Sequence, residues 1–113
     1  MMQKLPAHYA HVDRLWIPVL LVSDAIRVLR AGEPARDFAE ILKTTREYLG
    51  LLRSWVERYP QGAAEALAKL EQRLEAMSHP VPTDKLLQDA ARVDLAARLA
   101  ELGQRFVNTA CGR

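Results

Sequence analysis

Apolar residues recur along this chain at helical spacing in four blocks, and nowhere do they alternate with polar residues over a strand length. The pattern predicts an all-α protein, a small four-helix bundle with helices at roughly residues 9–31, 34–58, 61–78 and 83–108. Gly32 and Pro34 end the first block, and Pro18 either kinks it or sits in the first turn of a helix that begins near Ile17. Pro34 or Ala35 falls in the opening turn of the second, with Asp37 and Glu40 near its positive dipole end. Pro60 and Gly62 close it. The stretch His79-Pro80-Val81-Pro82 is a linker, because neither proline continues a helix. Thr83 then offers an N-cap hydroxyl, with Asp84 in the first turn.

The faces of these helices differ. In the second, Phe38, Ile41, Leu42, Thr45, Tyr48, Leu49, Leu52, Trp55, Val56 and Tyr59 share one arc, as in a helix with one buried side. In the third, Ala63, Leu67, Leu70, Leu74 and Met77 form a narrow seam. The first carries a core stripe of Leu15, Val19, Val22, Ala25, Ile26 and Leu29. Ile17, Leu21 and Val28 add a second apolar row, and Trp16 and Leu20 lie on the other side. Its apolar arc spans roughly 200°, where a one-sided helix needs about 100°. Such a helix is either central in its own bundle or shared with a partner. The fourth has a strong stripe of Ala91, Leu95, Leu99, Leu102 and Phe106. Opposite it run Leu86, Ala90, Val93, Ala97 and Ala100. The alanines there suit either close helix approach or a solvated face of good helix formers.

Leaving Ile17, Leu20, Leu21 and Val28 wet forgoes roughly 1.5–3 kcal/mol each. Sharing is therefore attractive, and contiguous apolar surface usually marks an interface. The candidate interface residues are Trp16, Ile17, Leu20, Leu21 and Val28 on the first helix, with Leu86 and Val93 on the fourth. The expected outcome is a homodimer, a contact with another protein, or both through overlapping surfaces.

Composition sharpens this by exclusion. A length of 113 residues fits one domain with its own core, and a hydrophobic fraction of 50% argues against disorder. The net charge of +2, from 16 basic and 14 acidic residues, is too small to imply nucleic acid. Acidic residues are interleaved with Arg27, Arg30, Arg36, Arg46, Arg53 and Arg58, so no basic stripe emerges. The longest apolar run, residues 15–22, is far short of the ~20 residues that span a bilayer. No signal-peptide pattern precedes it, and a cytoplasmic location is the default.

No catalytic or cofactor site is legible, and the chain is not expected to be an enzyme. His8 and His11 are three apart beside Asp13, but further ligands for a metal are missing, and His79 stands apart in the linker. The five glycines are scattered and read as turn markers rather than a phosphate loop. Ser23, Ser54 and Ser78 lack a nucleophile motif. Cys111, the one cysteine, has no neighbouring base and reads as a tail thiol.

In length, helical content and apolar excess around Trp16, Ile17, Leu20 and Leu21, the chain resembles small bacterial anti-activators of quorum sensing, the QslA-like proteins. The resemblance implies binding to a LuxR-type transcription factor, loss of that regulator's dimerisation, and loss of its DNA binding. No motif carries it, so no functional residue is transferred. The competing class is a small dimeric chaperone or assembly factor that shields an apolar client surface. Behind these stand a DNA-associated protein and an enzyme with a site distributed between helices.

Overall fold

A computed structural model describes residues 14–30, 37–56 and 62–111 of the chain. A short 3-10 turn, Arg14–Trp16, leads into α1 (Ile17–Arg30). Then follow α2 (Phe38–Val56), α3 (Ala63–Ser78) and α4 (Lys85–Cys111). The protein is an all-α four-helix bundle, about 45 × 29 × 26 Å.

The local chemistry explains where each helix starts. Pro18 lies in the first turn of α1, where no intrahelical N–H is required of it, so of the two readings of this proline the helix start is the one realised. Asp37 caps α2: its carboxylate accepts from the Glu40 N–H at 2.8 Å. Residues 31–36, including Pro34 and Ala35, lie outside the described residues, as do the predicted first turns at 9–13 with His8 and His11. At α4 the cap is Asp84 rather than Thr83. Its carboxylate accepts from the Leu86 N–H at 2.7 Å and its carbonyl from the Gln88 N–H at 3.0 Å. A carboxylate beside the positive helix end also gains from the dipole, which a hydroxyl does not. Gly62 precedes α3 at φ 106°, a conformation that side chains rarely adopt.

Cross-helix contacts fix the topology. Arg46 donates to Ser78 at 2.8 Å while Arg53 pairs with Glu71, so α2 and α3 run antiparallel. Arg73 meets Asp94 and Gly62 lies beside Arg105, so α3 and α4 do too. Val22 lies against Gly103, and Leu29 and Arg30 share a groove with Asp89 and Arg92, which makes α4 antiparallel to α1. The helices therefore form an up-down-up-down ring in which each packs on two neighbours.

The α1–α4 pair is the most extensive contact. Ala25, Ala91 and Ala96 are buried, and Gly103 removes the last obstacle. A Cβ at Gly103 would stand 3.0 Å from Cγ1 of Val22. Gly103 and Gly50 lie inside helices, so the reading of all five glycines as turn markers is corrected. Gly103 is spent on close approach instead. One apolar core draws on all four helices, with Leu21, Leu29, Leu52, Leu95, Leu99, Leu102 and Phe106 completely buried. Thr45, the one buried polar side chain among the described residues, satisfies its hydroxyl on the Ile41 carbonyl at 2.8 Å.

Candidate protein-binding surface

Two helices carry apolar residues on more than one side, and the bundle treats them differently. On α1 the buried arc comprises Ile17, Pro18, Leu21, Val22, Ala25 and Leu29. Ile17 is 5% exposed and Leu21 not at all, so their assignment to an interface is corrected: both are core. Leu20 and Val28 are half-buried and pack against the same core, as do Val19 and Ile26. The helix uses its wide arc because it faces α2 on one flank and α4 on the other, and the positions between look to the bundle centre. Of the five candidates near α1, Trp16 alone is counted among the exposed large side chains, at 38%. Arg14 lies over the Trp55 ring, 5.7 Å from its centroid, which closes the bundle at this end.

On α4 the strong stripe is buried as its periodicity predicts, and the opposite row is wet. Leu86 is 78% exposed and Val93 71%, with Ala90, Ala97 and Ala100 exposed between and beyond them. Leu87, absent from the sequence-based candidates, is 60% exposed and widens the row at its N-terminal end. Leu87 lies four residues before the buried Ala91, at the edge of the packed stripe, so its place in the sequence marked it no more for the surface than for the core.

The row has two unlike edges. Toward α3, Asp94 accepts from Arg73 Nε at 2.8 Å and from Arg98 Nε at 3.2 Å. Partial burial pushes the Asp94 carboxyl up, but the hydrogen bonds and charges of Arg73 and Arg98 outweigh it and hold it below its ordinary 3.8. Toward α1, a groove of about 500 Å³ opens over Leu29, Val93, Ala96 and Ala97, with Arg30, Asp89 and Arg92 around it. None of these three charged residues takes part in an ion pair among the described residues. The Nε of Arg92 is buried without a hydrogen-bond partner.

Among the described residues no three His, Cys, Asp or Glu side chains converge as metal ligands, and no helix is long and apolar enough to cross a membrane. His79 sits within 3.1 Å of Glu75, one turn away on the surface. Cys111 is the last residue of α4 and is exposed. Compared with family models, with curated proteins and with solved structures, the chain matches none.

Proposed function

We propose that this chain is a protein-binding regulatory module, an anti-activator that holds a LuxR-type transcriptional regulator as a monomer and so keeps it from DNA. The observation that carries the binding is the outward row of α4, where Leu86, Leu87 and Val93 stand in water on a helix whose other side is fully packed. Each such side chain regains roughly 1.5–3 kcal/mol when a partner covers it. A helix face presenting Leu86, Ala90 and Val93 at i, i+4 and i+7 suits an apolar groove or a helical dimer surface. The regulator as partner rests on the resemblance in length, helical content and apolar excess. The burial of Ile17 and Leu21 favours α4 over α1 as the surface this reading uses.

The test mixes the purified chain with a LuxR-type regulator from the same cell. Light scattering then reads the regulator's oligomeric state, and gel shift reads its DNA binding. The expected result is loss of the regulator dimer and of the shifted band, with both restored by Leu86→Glu or Val93→Glu. A regulator that stays dimeric and DNA-bound at saturating chain overturns the reading. Recovery of an apolar client protein in its place replaces it with the chaperone.

A further inference from the structure

We propose that the outward face of α4 is also a self-association surface, on which a second copy of this chain docks antiparallel about a two-fold axis between Ala91 and Arg92. This goes beyond the regulator reading and does not depend on it. Leu86, Ala90, Val93, Ala97 and Ala100 follow each other at alternating intervals of four and three residues. That is the spacing of a helix–helix seam, and here it lies on the face that the bundle leaves open. Alanine alone would suit a solvated face, but Leu86 and Val93 at 78% and 71% exposure would not.

Shape and charge both select a copy of the same chain. With the axis between residues 91 and 92, Leu86 falls opposite Ala97 of the other copy, and Val93 opposite its Ala90. Leu86 and Val93 each meet an alanine, so two such faces interdigitate at short axial distance. Antiparallel pairing also brings like edges together. The edge toward α1 carries Arg30, Asp89 and Arg92, both signs of charge with no ion pair among the described residues. In this register Asp89 of one copy faces Arg92 of the other, twice over by symmetry. The Nε of Arg92 is buried without a hydrogen-bond partner, and its guanidinium takes part in no ion pair among the described residues. A partner of one charge sign would satisfy only part of this edge, whereas the same edge reversed satisfies both signs. The whole-chain charge of +2 adds little repulsion between copies.

Sedimentation equilibrium and cysteine crosslinking test the proposal on the full chain, with circular dichroism confirming helix content in every variant. The unmodified chain is expected to dimerise, and Asp89→Arg or Arg92→Asp alone to weaken the dimer roughly fivefold to tenfold. The double variant Asp89→Arg with Arg92→Asp recovers it. In a Cys111→Ser background, Val93→Cys forms a disulfide dimer on mild oxidation, because the two copies of residue 93 flank the axis within disulfide reach. Ala100→Cys does not, since its copies lie about 25 Å apart along the helices. A chain that is monomeric at every concentration overturns the proposal, while leaving regulator binding to be read separately. Crosslinking through Ala100→Cys or the native Cys111 in place of Val93→Cys overturns the antiparallel register.

Discussion

Helices α1 and α4 both carry more apolar surface than a one-sided helix, yet the bundle buries the excess of one and exposes that of the other. The difference lies in how the apolar positions are distributed around each axis. On α1 they form one unbroken arc, from Ile17 and Leu21 through Ala25 and Leu29 to Val22, with Leu20, Val28, Val19 and Ile26 at its rims. A ring of four helices gives each member two neighbours and a share of the centre, so a continuous arc of roughly 200° is covered. On α4 the second row lies about 180° from the first: successive residues turn by about 100°, which sets Val93 opposite Leu95. No helix in a single ring can bury two opposed faces. Total apolar content therefore says less about binding than angular continuity does.

The largest expected effect tests this contrast directly. Leu21→Ala should cost about 2–5 kcal/mol of unfolding free energy, and Val93→Ala no more than about 0.5 kcal/mol, when urea midpoints are compared at low protein concentration. Similar costs at the two sites would erase the distinction between the helices.

The second prediction concerns how tightly α1 is held on α4. Gly103→Leu should destabilise by roughly 1–3 kcal/mol, because its Cβ would press on Val22, itself buried and β-branched, with nowhere to turn. Pairing it with Val22→Ala should return part of that loss, a coupling that a double-mutant cycle measures. Independent, additive costs would show that the close approach at Gly103 is not what holds α1 in place.

The third and smallest effect concerns what orients the open face of α4. Asp94 sits at its edge, with a carboxyl held below its ordinary value by Arg73 and Arg98. A group depressed on folding contributes stability that is present above its unfolded pKa and is lost as pH falls through the folded value. As pH falls from about 3.8 through the lowered value, the unaltered chain should therefore lose stability that Asp94→Asn does not lose. With the pair partly exposed, the difference should be roughly 0.2–1 kcal/mol. Parallel pH profiles of the two proteins would show that the clamp contributes nothing.

Much of the architecture was legible in the residues. The four helical blocks, the one-sided arc of α2, the seam of α3 and both rows of α4 are all periodicities, and a period survives whatever packs against it. The start of α1 at Ile17 was one of the two readings Pro18 allowed. The α4 half of the candidate surface, Leu86 and Val93, was legible for the same reason. The α1 half was not: Ile17 and Leu21 have the same apolar character whether a partner or their own bundle covers them. Gly103 is a further case. A glycine in a sequence does not say whether it turns the chain or admits Val22, because that depends on a helix some eighty residues away.

The helices and the apolar positions on each were written in the residues, since these depend on neighbours within a turn or two along the chain; the caps were not, because Asp84 takes the place expected of Thr83 and Asp37 precedes α2. Which apolar rows face one another was settled by how the helices pack in space. That packing buried the α1 arc against α2 and α4, closed the α1–α4 contact at Gly103 and left Leu86, Leu87 and Val93 in water. It also placed Arg30 beside Asp89 and Arg92 at the edge of that row. Burial and charge pairing are set by proximity in space, and a single chain's periodicity fixes angles around each axis without saying what stands there.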